Sequence, residues 1–259
     1  MEFALSNYGQ IDILVNGAAG NFLSEAKILS PKGFKTIMEI DAQGTYNMSH
    51  AVYCAMAKSG GGKGGVIINI SMTLHYGGEG YNIMFASFSL SLLSIQSTSN
   101  RSSDGIILTL INIETIFVHS ATWYQAHASA AKSAIDSLTR SLALEWGCDK
   151  IRVVGIAPGP IANTPGTTKL APGFTSEDVN DMIAERIPLG RLGTAMDIGM
   201  AAVFLACDRC GGYVSGDTLV VDGAEWLYKP PMVPRDMVAE LSRKVEAKSR
   251  ALMPKVSKL

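Results

Sequence analysis

The chain has 259 residues with 47% hydrophobic content, enough to bury one large core, and its alternation of apolar runs with helical stretches predicts a single α/β domain. A net charge of −1 gives no global case for nucleic acid. No secretory signal opens the chain, and its longest apolar stretches fall short of the roughly 20 residues that span a bilayer.

Met1 to Gln10 reads as the end of a helix. Ile11 to Val15 is a buried strand that runs into Asn16-Gly17-Ala18-Ala19-Gly20-Asn21-Phe22, in itself an ordinary small-residue turn. Ser30 caps a helix with Pro31 at its first position, and Phe34, Ile37, Met38, Met48, Ala51, Val52, Ala55 and Met56 extend an apolar face to Ser59. Asp41 falls inside that face between Ile40 and Ala42, where spacing alone suits a solvated acid as well as a functional one. After the glycine-rich turn 60–65, Val66 to Ile70 is the next strand, ending in Asn69-Ile70-Ser71-Met72. Gly77 to His119 follows, 43 residues with eight serines, seven isoleucines, no lysine and no helical or alternating period. A structureless loop of that length is uncommon inside a compact domain. Its composition is that of a translated T-rich non-coding stretch, so a retained intron stands beside a genuine lid as its origin. This segment is expected to be the least ordered part of the chain, and removable with a gain in solubility and thermal midpoint.

From Ala128 to Gly147, the apolar residues Ala131, Ala134, Ile135, Leu138, Leu142 and Trp146 recur at intervals of three or four and define a helix ended by Gly147. Lys132 lies near its start. Lys132 and Asp136 share a face one turn apart, which by spacing alone describes an exposed ion pair of about 0.3 kcal/mol. The strand Ile151 to Ala157 leads into Pro158-Gly159-Pro160-Ile161-Ala162-Asn163-Thr164. Ser176 to Ile187 and Thr194 to Cys207 read as helices opened by Ser/Thr caps, and Thr218 to Val221 is the last strand. Four cysteines, at 54, 148, 207 and 210, are too few for a disulfide framework and suit a reducing compartment. Cys207-Asp208-Arg209-Cys210 has redox-motif spacing, but without a second pair it reads as structural. Residues 1–228 form the domain, and 229–259 a tail of linker and charged helix. The tail ends in Ser257-Lys258-Leu259, the address read by the peroxisomal import receptor.

The helix carrying Lys132, the strand after it and the Pro-Gly loop resemble the active-site segment of the short-chain dehydrogenase/reductase family, where a Tyr-x-x-x-Lys pair precedes the loop that holds the nicotinamide. The resemblance implies a Rossmann-like, doubly wound parallel sheet. Ala128 stands at the tyrosine position and Met72 at the usual catalytic serine, and neither can donate a proton or a useful hydrogen bond to a carbonyl oxygen. Asn16 to Phe22 resembles the family's cofactor segment in the longer version found in the 2,4-dienoyl-CoA reductase branch. That branch also places an aspartate where Asp41 stands and dispenses with the tyrosine.

Over residues 11–76 and 120–259 the resemblance therefore implies hydride transfer from NADPH to the far end of a conjugated dienoyl thioester, followed by protonation to a 3-enoyl-CoA. Asp41, Lys132 and Asp136 would be the catalytic residues, with a water activated by Asp41 as proton source and Lys132 on the nicotinamide ribose. Cofactor contacts would come from Asn16, Ala18, Lys132, Pro158, Gly159, Pro160, Ile161 and Thr164, and acyl and CoA contacts from Phe22 and Lys169. It implies no metal, a fatty acyl-CoA substrate and a homo-oligomer. The family's first βαβ part, with its Gly-x-x-x-Gly-x-Gly turn, would precede Ile11 and is not found here. On this reading Ile11 to Val15 is an open sheet edge, with poor solubility and no measurable NADPH affinity expected for the chain as written. A catalytically inactive member associating through helices 31–59 and 128–147 is the alternative. A generic NAD(P)-dependent alcohol dehydrogenase is a third reading, disfavoured by Ala128 and Met72.

Overall fold

Runs rich in Ile and Val form the strands β1 (Ile11–Asn16), β2 (Gly65–Ile70), β3 (Phe88–Ser89), β4 (Ile106–Leu110), β5 (Asn112–Ile113), β6 (Ile151–Pro158) and β7 (Thr218–Val221). The computed structural model describes residues 2–59, 63–72, 88–89, 106–110, 112–113, 123–164, 175–228 and 230–252. Five strands make one parallel sheet in the order β4-β1-β2-β6-β7, while β3 and β5 pair antiparallel by themselves. The helices are α1 (Glu2–Tyr8), α2 (Pro31–Met38), α3 (Gly44–Cys54), α4 (Ala126–Trp146), α5 (Ser176–Ala184), α6 (Ala195–Ala206), α7 (Asp208–Gly211) and α8 (Arg235–Leu252). None among the described residues is long and apolar enough to cross a membrane.

Alternate residues of the central strands feed opposite faces, as a pleated strand requires. Leu14, Ile67 and Val153 pack with Val52 of α3 and Leu142 and Trp146 of α4. Val15, Ile68 and Val154 pack with Ile198 and Leu205 of α6. Helices on both faces of a parallel sheet make the fold Rossmann-like and doubly wound.

The chain divides into two compact units, Met1–Tyr228 and Lys229–Leu259. In the second, α8 carries a Lys244–Glu240 pair one turn apart.

Several expectations are corrected. Ile11 to Val15 is not an open edge, because β4 pairs with β1 in parallel, with Leu14 opposite Leu108 and Val15 opposite Thr109. The segment 77–119 accordingly holds strand where no period was legible. Its remaining residues, together with His75 and Tyr76, lie outside those described. The long helix 31–59 is interrupted by wider π-helical turns at Glu39–Gln43 and Ala55–Ser59. The helix from Ser176 ends at Ala184, where tighter bonds from Arg186 N to Ile183 O and from Ile187 N to Ala184 O take over.

The helix starts follow local chemistry. Ser30 Oγ accepts from Gly33 N with Pro31 at the first position. Thr194 with Asp197 and Thr175 with Asp178 form reciprocal capping boxes. The Asp197 carboxyl is held well below the usual range by Arg191 and by its hydrogen bonds to Thr194.

After β7, the Asp222 carboxylate accepts from Ala224 N at 2.8 Å and Trp226 N at 2.7 Å, shaping the turn that carries Glu225. Burial, reinforced by the Asp222 charge and opposed by Arg186, pushes the Glu225 carboxyl up to about 7.

Two outcomes follow from these contacts. Excising 77–119 strips β4 from β1 and leaves one edge of an apolar strand unpaired. It is expected to lower the thermal midpoint and raise light scattering on heating, and an unchanged or higher midpoint would show that β4 gives β1 nothing. For Glu225 the folded value lies above the unfolded one, so its contribution is present in acid and is lost as pH rises through about 7. Glu225→Gln should match the parent in acid and melt higher above that pH, and identical melting curves at every pH would contradict the burial argument.

Candidate functional site

In an open parallel sheet, ligand-binding groups gather beyond the carboxyl ends of the strands. Asn16 closes β1, Asn69 is the penultimate residue of β2 with Ser71 and Met72 just beyond its end, and Pro158 closes β6. The Asn16 amide donates to Ser49 Oγ at 2.8 Å and to Asn69 Oδ1 at 2.9 Å. The Asn69 amide in turn donates to Thr139 Oγ1 at 2.9 Å, which donates to Ile135 O. This buried chain ties β1, β2, α3 and α4 into one frame, with each polar atom's desolvation offset by a partner.

Asp41 and Lys132 meet inside that frame. Asp41 sits on the π-helical turn 39–43, whose extra residue per turn re-aims side chains relative to an uninterrupted helix. Its Oδ2 lies 3.3 Å from Lys132 Nζ, and its Oδ1 accepts from Gly20 N at 2.8 Å. Exposure is 0% for Asp41 and 1% for Lys132. Burial raises the Asp41 carboxyl, while the lysine and the Gly20 amide pull the other way. Ala128 and Met72, each 2% exposed, supply only apolar surface at the positions where a phenol and a hydroxyl would stand.

Asp136 corrects the picture of an exposed lysine partner. It is 2% exposed, and its Oδ1 accepts from Ser71 Oγ at 2.6 Å and, more weakly, from Thr218 Oγ1 at 3.5 Å. Burial raises its carboxyl, and the Ser71 hydroxyl opposes that rise. It binds α4 to the end of β2 and the start of β7, a role that helix periodicity could not reveal.

The loop after β6 is fixed from both sides. Gly159 N donates to Val221 O, and a Cβ at Gly159 would lie 2.5 Å from Asp222 Cβ, so only glycine allows this approach. Pro160 O accepts from Gly193 N, and Ala162 N donates back to Gly193 O, across the bridge of Ile161 with Gly193. Thr164 is buried, whereas Ala18 is exposed on the opposite loop. Lys169 and Ser257-Lys258-Leu259 lie outside the described residues.

Sequence reasoning missed a polar group at the start of α4. Asn21 Nδ2 donates to Gln125 Oε1, and the Phe22 ring stacks on His127 with centroids 4.2 Å apart. Gln125 and His127 are both fully buried, and neither Gln125 Nε2 nor either ring nitrogen of His127 has a hydrogen-bond partner among the described residues. Burial lowers the His127 imidazole, and the Phe22 backbone opposes that fall. A histidine and a glutamine just ahead of Ala128 were the legible signal.

A buried cation beside a carboxylate and a rigid loop at the strand ends form a donor set that fits the nicotinamide-ribose half of a dinucleotide. Among the described residues no group of three or more His, Cys, Asp or Glu side chains is placed to hold a metal ion.

Residues 1–87 match the short chain dehydrogenase family and residues 88–223 the family described as Enoyl-(Acyl carrier protein) reductase. The peroxisomal 2,4-dienoyl-CoA reductase of Arabidopsis thaliana is 45% identical over 257 residues, 97% of this chain and 70% of that protein. The enzyme of the same name from Danio rerio is 37% identical over 88% of this chain, which spans 59% of its length. Among solved structures, a short chain dehydrogenase from Bacillus anthracis superimposes with a TM-score of 0.62 at 28% identity, covering 89% of this chain and 70% of that one. The chain belongs to the short-chain dehydrogenase/reductase family of oxidoreductases.

Proposed function

We propose that the chain reduces a 2,4-dienoyl-CoA to the 3-enoyl-CoA in the peroxisomal β-oxidation of unsaturated fatty acids, with NADPH as reductant. The observation that carries this reading is Asp41 buried against Lys132, with Ala128 and Met72 where a carbonyl reductase of the family needs its phenol and hydroxyl. NADPH supplies the hydride when bound. Lys132 would hold the ribose hydroxyls, with Asn16, Ala18 and the loop Pro158, Gly159, Pro160, Ile161 and Thr164 around the nicotinamide.

Reduction of a conjugated thioester at its far end moves charge onto the thioester oxygen and a remote carbon, so no phenol is needed at a carbonyl. The product then needs one proton on carbon. Asp41, its carboxyl raised by burial, delivers that proton through water, and Lys132 opposes the rise and so eases release of the proton. Asp136 holds α4, and with it Lys132, in register through Ser71. Phe22 lines the acyl side, where Gln125 and His127 are the buried polar groups available to the thioester oxygen, and Lys169 contacts CoA. The relatives' peroxisomal names and the terminal Ser257-Lys258-Leu259 support import by the peroxisomal receptor. The enzyme would work as a homo-oligomer.

Steady-state kinetics with 2,4-hexadienoyl-CoA and NADPH test this reading. Asp41→Ala is expected to lower kcat by roughly 100- to 10,000-fold with little change in NADPH affinity, the range for loss of a general acid. Lys132→Met should weaken NADPH binding as well as turnover. No 3-enoyl-CoA from the parent chain, undiminished kcat in Asp41→Ala or unchanged NADPH affinity in Lys132→Met would each contradict the assignment.

A further inference from the structure

The motif Cys207-Asp208-Arg209-Cys210 lies apart from the site and plays no part in the proposed reaction. Cys207 sits where α6 ends and α7 begins, and its carbonyl accepts from Cys210 N at 3.0 Å and Gly211 N at 2.7 Å, closing one tight turn. That turn brings the two sulfurs to 3.2 Å, where they share a hydrogen bond. The turn is held from outside. Arg152 on β6 pairs with Asp208 at 2.9 Å, and Gly211 is buried where a Cβ would meet Phe204 O at 2.7 Å. Cys210 is exposed and Cys207 half-buried, so a small oxidant can reach the pair.

We propose that Cys207 and Cys210 form a peroxide-reactive dithiol that closes a reversible disulfide, with Cys207 as the attacking sulfur and Cys210 as the resolving one. The asymmetry has a physical basis. The hydrogen bond shared by the two sulfurs and the Cys210 and Arg209 amides lower the Cys207 thiol; the same hydrogen bond and the Cys207 charge raise Cys210. In the first step the Cys207 thiolate attacks a peroxide oxygen, the O–O bond breaks, and hydroxide leaves as water, giving Cys207 sulfenic acid. The Cys210 sulfur then attacks Cys207, the S–S bond forms and the S–O bond breaks, and the departing hydroxide takes up the Cys210 proton as a second water. The two thiols give up two electrons and the peroxide accepts them.

The test treats the full chain with one equivalent of hydrogen peroxide, followed by acid quench, thiol titration and a non-reducing tryptic mass map. Two of the four thiols should disappear, and dithiothreitol should restore them. Trypsin cuts after Arg209, so the disulfide should leave Leu192–Arg209 joined to Cys210–Arg235. Cys210→Ser should stop at a sulfenic acid on Cys207 that dimedone traps, and Cys207→Ser should lose thiols at least roughly tenfold more slowly. Oxidation first at the exposed Cys54 or Cys148, covalent dimers in place of the internal link, or undiminished thiol loss in Cys207→Ser would overturn the proposal.

Discussion

Everything at the strand ends depends on keeping two opposite charges, Lys132 and Asp41, out of water. The effective penalty for burying each ion is several kcal/mol, and mutual attraction offsets it only when geometry is good and remaining polar atoms are satisfied. Here the Gly20 amide takes the second carboxylate oxygen, and the frame running from Asn16 through Asn69 to Thr139 fixes the helix that bears the lysine. Removing either partner would strand the other charge, so the pair is a constraint on the fold as much as a chemical device.

That constraint explains two irregularities. A continuous α-helix from Pro31 to Ser59 would not place Asp41 where it stands; the wider turn at 39–43 does. Asp136, one turn from Lys132, feels its charge, but Ser71 and Thr218 hold its carboxylate against the sheet. Asp41 thus forms the close ion pair with the cation, while Asp136 anchors the helix.

The doubly wound sheet was legible because its strands are unbroken apolar runs and its helices announce themselves by caps such as Ser30-Pro31 and Thr194 with Asp197. Asp41 and Lys132 were legible through motif register, but their contact was not, since the residues lie 91 apart in sequence and meet only in the folded sheet. The partners of Asp136 were hidden for the same reason. β4 escaped because five residues are too few for periodicity to separate a strand from any other apolar run, and its place is set by the unpaired edge of β1. Gln125 and His127 escaped because a buried polar group looks, in sequence, like an exposed one.

Asp41 is the proposed proton source, its carboxyl raised by burial while Lys132 opposes the rise. The most direct measurement is the pH dependence of kcat for 2,4-dienoyl-CoA reduction. A raised carboxyl acting as an acid is active at low pH and fails as pH climbs through its own titration, so the parent should show an alkaline decline with its midpoint above the ordinary aspartate range. Asp41→Asn should lose that decline along with most of the rate. A profile whose decline survives unchanged in Asp41→Asn would contradict the account.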